Sequence, residues 1–325
     1  MSEFSSLDQL KIDFIIPGEP NDGFLSQIAF FQKALETTFT RPSQARLVCY
    51  LGSGEGVDVV PSRWAQHLKN VDVRFVDPVA VQKEGYLVQA RARFEHALHT
   101  DAHICILCDA DTLPVGALDA VLRALAEGAP VAGVIAHLPP PNLFTPEIPD
   151  FESLGKVVNG KPLDTPFKYT LLGYPRESNK QIQLRSPMAP FYLNHGFVAF
   201  RQDALRDFSP AFMKMRARMM SDFGMGGFAG QVAVPLTLQQ LGWGGVALPM
   251  RYNYPNDVRA VRFQKGEERA IMFLHYLRER HFKRNAILAN KADYLAFMQK
   301  PLNDIDQITQ AAFRAVAGGE HYPFD

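Results

Sequence analysis

The stretch HICILCDADTLP, from His103 to Pro114, decides the expected fold. Four consecutive apolar residues, Cys105 to Cys108, run directly into two aspartates, Asp109 and Asp111. A short and continuously apolar run is typical of a strand that is buried on both faces, as in a parallel sheet covered by helices. Ligands of such sheets bind at the carboxyl ends of the strands, so the two carboxylates lie at the expected binding edge.

The segments on either side of this strand repeat the same alternation. Apolar runs predict further strands beginning near Leu10, Ala45, Val71 and Pro130, and stretches with a 3.6-residue period predict helices between them. FYLNHGFVAF, residues 191–200, predicts another strand. We therefore expect an α/β, Rossmann-like fold with a mostly parallel sheet and helices on both faces.

Composition excludes several classes of protein. The 325 residues contain 34 Lys and Arg against 34 Asp and Glu, so the chain has no net charge with which to hold nucleic acid or an anionic membrane. No run approaches the roughly 20 apolar residues of a transmembrane helix, and the first residues lack the order of a signal peptide. Cys105 and Cys108, three positions apart on a strand, point to opposite faces and are expected to be core residues of a cytoplasmic protein.

The pattern Asp109-Ala110-Asp111 predicts a metal site. Two carboxylates that leave a strand end together can reach one hard cation, and Mg²⁺ or Mn²⁺ prefers oxygen ligands of this kind. A solvated turn or a helix cap is the alternative. Phosphatases with an aspartyl nucleophile are excluded, because they carry such a motif at the first strand rather than the fourth. Histidines occur singly; on spacing alone each is expected to be a hydrogen-bonded core residue rather than a ligand: His137, His195, His275 and His281.

The order of four motifs resembles a known family. ICILCDADTL, FYLNHGFVAF, LPMRYN and FLHYLR follow one another as in glycosyltransferase family 8, the glycogenin-like and bacterial galactosyltransferase-like enzymes of the GT-A fold. The resemblance spans Ile12 to His275. It implies transfer of a sugar from a nucleoside diphosphate sugar, with a UDP-sugar favoured, to a glycan or small hydroxyl acceptor. It also implies dependence on Mn²⁺ or Mg²⁺ and retention of anomeric configuration, although an inverting outcome stays open.

The resemblance also assigns site residues. The metal ligands would be Asp109, Asp111 and His275, and Arg93 and Asn253 would lie at the sugar nucleotide. Three residues, Asn194, His195 and Gln231, would lie beside the reacting sugar. Three positions depart from the family. Gly230 stands where an aspartate precedes the glutamine, and Arg278 replaces a glycine. His281 replaces the family's diphosphate-binding lysine, so the candidates for that charge become Arg280, Lys283 and Arg284.

The chain after Ala136 is less regular. Residues 137–190 are rich in proline and weakly periodic, which predicts an insertion with a function or structure of its own. We predict a catalytic domain over residues 1–285, which contains the insertion, and a C-terminal helical tail over 286–325. Acceptor contacts are expected on the insertion, with three rings available to stack on sugars, Tyr169, Tyr174 and Tyr192; a lid over the donor or a dimer contact is the alternative.

Two other functions remain open at this point. A sugar nucleotidyltransferase also places carboxylates and Mg²⁺ at such an edge, but it requires a basic, Gly-rich loop after the first strand, where this chain has IIPGEPNDGF. A catalytically inactive binding or scaffold protein with the same fold is favoured by the changes at Gly230 and Arg278. The sequence leaves the oligomeric state open, including a homo-oligomer.

Overall fold

The sheet predicted from the apolar runs forms the centre of the molecule. The computed structural model describes residues 6–140, 150–171 and 188–325, so Tyr174 lies outside the described residues. The strands are β1 Ile12–Gly18, β2 Ala45–Leu51, β3 Val71–Phe75, β4 Ile104–Cys108, β5 Thr112–Pro114, β6 Val131–Ile135, β7 Phe167–Lys168, β8 Met188–Ala189, β9 Leu193–Arg201, β10 Val246–Leu248, β11 Tyr254–Pro255 and β12 Phe273–His275.

Seven strands form the main sheet in the order β10-β6-β9-β4-β1-β2-β3. All neighbouring pairs are parallel except the two that involve β9, which runs antiparallel to both β4 and β6. The prediction of a mostly parallel sheet is therefore confirmed. A smaller sheet, β11-β12-β5, lies at the carboxyl end of β4, and β7 pairs with β8.

Helices cover both faces of the main sheet. They are α1 Asp22–Thr37, α2 Ser62–Ala65, α3 Pro78–Glu84, α4 Leu87–Glu95, α5 Asp119–Ala126, α6 Phe151–Asn159, α7 Gln202–Ser221, α8 Ala229–Leu241, α9 Val258–Phe263, α10 Arg284–Ile287, α11 Lys291–Gln299 and α12 Asp306–Ala317. Residues of α4, α6, α7 and α8 pack on one face, and residues of α1, α2 and α5 pack on the other. No helix in the described part of the chain is long and apolar enough to cross a bilayer.

Strand β4 shows how the two cores are separated. Cys105 and Leu107 belong to the core on the α4 and α7 face, whereas Ile106 and Cys108 belong to the core on the α1 and α5 face. The two cysteines therefore point in opposite directions, as a period of two residues requires. Both are unpaired and buried, and so is Cys49.

Three helical segments have features that hydrophobic periodicity alone does not predict. Helix α2 is a single turn that ends at Ala65, five residues before β3 begins at Val71. Helix α8 continues through Pro235, although proline usually breaks a helix. Proline removes one backbone hydrogen bond there, and the burial of the apolar residues on both sides offsets that loss. The insertion contains helix α6, which is capped by the Asp150 side chain.

The C-terminal helices pack on the outer side of α1. Phe30 and Ala34 of α1 share a third core with residues of α10, α11 and α12, and the ring centroids of Phe30 and Phe313 lie 5.0 Å apart. The division at residue 285 stays a prediction.

A buried polar network holds β1, β2 and α4 together. The carboxylate of Asp13 accepts hydrogen bonds from His96 Nε2 at 2.7 Å and Thr100 Oγ1 at 2.6 Å, and from two nitrogens of Arg46 at 2.8 Å each. Tyr50 donates to the other ring nitrogen of His96 at 3.0 Å. Burial raises the pKa of the Asp13 carboxyl, but these donors outweigh it and bring the pKa down to about 2.

Candidate active site

Three side chains of types that can bind a metal converge at the carboxyl end of β4. Asp109 and Asp111 follow the last residue of that strand, and His275 ends β12. Strand β12 pairs with β5 so that His275 lies opposite Thr112, and the Tyr276 amide donates to the Asp111 carbonyl at 3.0 Å. One ligand atom from each of Asp109, Asp111 and His275 lies within 4.8 Å of the other two. The resemblance named these three residues, and the structure brings them together.

The ring of His275 is fixed from both sides. Its Nδ1–H donates to Oδ1 of Asn253 at 2.9 Å, and its Nε2 lies 3.2 Å from Oδ1 of Asp111. Gly196 of β9 lies against the ring face, since a Cβ atom there would come within 2.6 Å of it. Burial disfavours the charged imidazolium, but the negative charge and hydrogen bond of Asp111 outweigh it, so the pKa of His275 is raised.

Arginines neutralise the two aspartates. Arg284, the first residue of α10, donates to Oδ2 of Asp111 at 2.5 Å. Arg93 of α4, which is 5% exposed, donates to Oδ1 of Asp109 at 3.1 Å. Burial raises the pKa of the Asp111 carboxyl, but His275 and Arg284 together outweigh it, and the net shift is downward. Asp111 is therefore an ionised carboxylate at neutral pH, with Oδ1 facing His275 and Oδ2 bonded to Arg284.

These residues suit a divalent cation. Two carboxylates and one imidazole form a mixed O and N ligand set that Mn²⁺ or Mg²⁺ accepts. Asn253 accepts a hydrogen bond from Nδ1–H of His275. In the neutral ring, Nε2 therefore carries the lone pair, and it faces Asp111. This is the arrangement in which a second residue orients a metal-binding histidine.

A second group of polar side chains lies next to Arg93. Nη2 of Arg93 donates to Nδ1 of His195 at 3.3 Å. The His195 ring packs against Phe94, with ring centroids 5.8 Å apart. Burial, with a smaller effect of the Arg93 charge, lowers the pKa of His195 well below its usual value. His195 is therefore neutral, and its buried Nε2 has no hydrogen-bond partner in the described part of the chain.

Gln231 and Asn194 are held by direct hydrogen bonds. Tyr192, which is buried, donates to Oε1 of Gln231 at 2.7 Å. Asn194 accepts from the Gly196 amide at 2.9 Å, so its side chain braces the backbone that faces His275. A Cβ atom on Gly230 would meet only ordinary contacts, the nearest being His195 Cε1 at 3.8 Å. The position therefore has room for a side chain.

The structure distinguishes between the basic residues that the sequence left as equal candidates for a contact with the diphosphate. Lys283 is 77% exposed, and its Nζ lies 4.0 Å from Glu279. Arg280 and His281 contact Asp304. Among the three candidates, Arg284 is the one that contacts an aspartate of the candidate metal site. The start of α10 at Arg284 decides this, which residue spacing alone does not reveal.

Comparisons with known proteins agree with this fold. No protein-family model matches the chain, and no curated protein sequence does. Among solved structures, the galactosyltransferase LgtC in complex with donor and acceptor sugar analogs superposes with a TM-score of 0.52 at 14% identity, over 92% of this chain and 95% of LgtC. The bifunctional glycosyltransferase WbbM superposes with a TM-score of 0.51 at 10% identity, over 95% of this chain and 52% of WbbM. The chain therefore has the GT-A fold predicted from its sequence.

Proposed function

We propose that this protein is a metal-dependent glycosyltransferase that moves a sugar from a nucleoside diphosphate sugar, with a UDP-sugar favoured, to a hydroxyl acceptor with retention. One observation carries the proposal: Asp109, Asp111 and His275 converge at the carboxyl edge of the sheet, beside Arg284. An edge of this kind binds nucleotides in many α/β folds. The sugars named for LgtC support the same class of substrate.

The diphosphate leaving group creates the main electrostatic demand. A divalent cation bound by Asp109, Asp111 and His275 would supply Lewis-acid stabilisation of the charge that develops on it. Arg284 is 39% exposed, so its guanidinium can contact solvent and a phosphate as well as Asp111. Arg93, itself buried, holds Asp109 in place by an ion pair at 3.1 Å. Lys283 stays a candidate for a weaker contact, because its long side chain reaches solvent on the same loop.

The sugar would lie toward His195 and Gln231. The Nε2–H of neutral His195 is a buried donor without a partner, and a sugar hydroxyl is an acceptor that would satisfy it. The Gln231 amide, held by Tyr192, offers a polar group for the positive charge that develops at the anomeric carbon. Asn194 would act by positioning the Gly196 backbone. A variant of LgtC with an active-site glutamine replaced by glutamate is among the superposed structures, which supports a role for a glutamine.

The alternatives have less support. The loop after β1 contains Glu19, which accepts a hydrogen bond from Asn21 at 2.9 Å, and it offers a triphosphate no basic side chain. This disfavours a sugar nucleotidyltransferase. An inactive scaffold remains the competing proposal because Gly230 provides no acid. A cytoplasmic location is proposed from the three buried, unpaired cysteines.

Calorimetric titration of UDP and GDP, with and without Mn²⁺, tests the proposal. We expect one nucleotide to bind only with metal, and Asp111→Asn to weaken that binding at least about tenfold, since it removes a charged ligand. Asp207→Asn, at an exposed position on α7, is the matched control and should bind the nucleotide as the wild type does. Absence of metal-dependent binding of either nucleotide to the folded wild-type protein would contradict the proposal and favour the scaffold.

A further inference from the structure

Two arginines share one carboxylate close to the metal-binding group. Asp257 accepts from Arg259 Nη2 at 2.6 Å and Nε at 2.9 Å, and from Arg278 Nε at 2.9 Å. Their side chains are only 20% and 31% exposed, whereas the Asp257 side chain is 6% exposed. Two positive charges against one negative charge leave a net charge of +1. The Arg278 guanidinium donates one of its five N–H groups to Asp257, so its other N–H groups can bind a further acceptor.

This arginine pair and Arg284 lie on opposite sides of His275. Strand β12, which ends at His275, has β5 on one side and β11 on the other. Arg284 contacts Asp111, which precedes β5. Asp257 follows β11, and the neighbouring Asn256 amide donates to the His275 carbonyl at 3.1 Å. The site therefore has two separate cationic groups, of which one suffices for the diphosphate.

The backbone that carries Arg278 is held firmly. The side chain of Asn256 donates to the Arg278 carbonyl at 2.9 Å and accepts from the Arg278 amide at 2.7 Å. Asn256 is fully buried and also donates to Oδ1 of Asp306 at 2.8 Å. With its backbone held by Asn256 and its guanidinium bonded to Asp257, Arg278 loses less conformational entropy on binding a ligand than a free surface arginine would.

Helix α9, which carries Arg259, packs against a described part of the insertion. Gln264, just after α9, donates to the Thr170 carbonyl at 3.1 Å, and Ala260 of α9 shares a small core with Leu171. His137, at the other end of the insertion, lies 2.8 Å from Thr170 Oγ1 through Nδ1.

His137 provides a second, independent sign of a ligand. It is 5% exposed, and its Nε2 has no partner in the part of the chain that the structure describes. Burial lowers the pKa of His137 to about 3, and the nearby groups that add to this effect are His275, Arg278 and, more weakly, Arg259, so the ring lies on the side of the arginine pair.

We propose that Arg259 and Arg278 bind an anionic group of the acceptor, a carboxylate or a phosphate, beside the hydroxyl that receives the sugar. The inference rests on the proposed function and specifies its acceptor. Two partly buried guanidiniums with a fixed backbone are the recognition chemistry for planar carboxylates and for phosphates. Asp257 limits the net charge of this group to +1 and holds the guanidinium groups of Arg259 and Arg278 in place.

Saturation-transfer NMR on the wild-type protein with Mg²⁺ and UDP tests this inference, with glucose, glucuronate and glucose 6-phosphate as matched probes. We expect at least one anionic sugar to bind about tenfold more tightly than glucose, the gain of one charge-assisted hydrogen-bonded pair. The two anionic probes decide between carboxylate and phosphate. This comparison needs no variant, and equal binding of all three probes overturns the inference.

Variants then assign the site. Arg259→Met and Arg278→Met should each reduce the preference to about twofold or less, and Arg278→Lys should restore part of it, because it returns the charge without the fork. Lys265→Met, which removes an exposed charge just beyond α9, should keep the full preference. A preference that survives in both folded methionine variants overturns the inference.

Titration of UDP into the same variants separates this inference from the proposed function. Unchanged UDP binding by Arg278→Met is expected. Its loss would assign Arg278 to the donor diphosphate and overturn the inference. An arginine-dependent anion preference in a wild-type protein that fails to bind UDP would keep the anion site and reject the donor site.

Discussion

Gly196→Ala is the sharpest test of the metal-binding geometry, because it adds one methyl group at the His275 ring. Gly196 lies in β9, and a Cβ atom there would approach Cε1 and Nδ1 of His275 to 2.6 Å. Its backbone is ordinary for an L-residue, so strain in φ does not contribute. The consequence is therefore steric; it acts mainly on His275, with a lesser close contact of 3.1 Å to Oδ1 of Asn194.

The size of the effect follows from the distances. Relief of the clash requires about 0.8 Å of movement, since 3.4 Å is where ordinary contact begins. The ring bonds to Asn253 at 2.9 Å through Nδ1 and faces Asp111 at 3.2 Å through Nε2, so a shift of that size changes the geometry of the contacts that fix the ring. We expect a loss of about 1–3 kcal/mol in the free energy of unfolding, as for overpacking in other cores. Metal affinity should fall about 10- to 100-fold, as it does when a residue that orients a ligand is lost.

Two measurements on the same sample check this expectation. Chemical denaturation gives the free energy of unfolding, and calorimetric titration of Mn²⁺ with UDP gives the metal-dependent affinity. Gly244→Ala is the control, because a Cβ atom there meets no heavy atom within 4 Å. Wild-type affinity in a folded Gly196→Ala protein would refute the assignment of His275 as a metal ligand.

Three further predictions concern other parts of the molecule. The Asp13 pKa of about 2 lies below its ordinary 3.8, so the ionised carboxylate contributes stability above pH 3.8 that is lost as the pH falls toward 2. This amounts to about 2 kcal/mol, and acid titration of Asp13→Asn should lack that loss. Gly230→Asp should raise the free energy of unfolding by about 0.5–1 kcal/mol, because an acid in the first turn of α8 interacts favourably with the helix dipole and the position has room for a side chain. Comparing the thermal unfolding of Gly230→Asp with that of Gly230→Ala separates the effect of the charge from the effect of replacing glycine in a helix. Tyr192→Phe frees the Gln231 amide and should slow sugar transfer about tenfold at unchanged UDP affinity; an unchanged rate would exclude Gln231 from the reaction.

Hydrophobic periodicity was sufficient for most of the fold. The run before Asp109 is apolar at every position, which requires burial on both faces and hence a covered sheet. The reversed direction of β9 could not be predicted, because a central strand has the same pattern in either orientation. Helix α6 was missed because prolines surround it, although Asp150 and Ser153 supply a recognisable start signal.

The candidate site was less accessible to sequence reasoning. His275 has no nearby ligand in sequence, since 164 residues separate it from Asp111, and only the pairing of β12 with β5 brings them together. Without the family resemblance, a buried histidine in an apolar run predicts a core residue. Tyr192 was predicted to stack on sugars, yet it is buried and bonded to Gln231, because β9 begins one residue later and turns its ring inward. Such outcomes depend on where an element begins, which is the least predictable property of a sequence.

Charge balance connects the metal site with the nucleotide. The two carboxylates of Asp109 and Asp111 face the two guanidinium groups of Arg93 and Arg284, so these four side chains together carry no net charge. A bound divalent cation would raise the charge of the group to +2. An uncompensated positive charge in a partly buried site has a high free-energy cost, and the negative charge of a diphosphate would compensate it. Metal and nucleotide should therefore bind together, each strengthening the other by the same factor, which is the thermodynamic reciprocity that titrations in both orders measure.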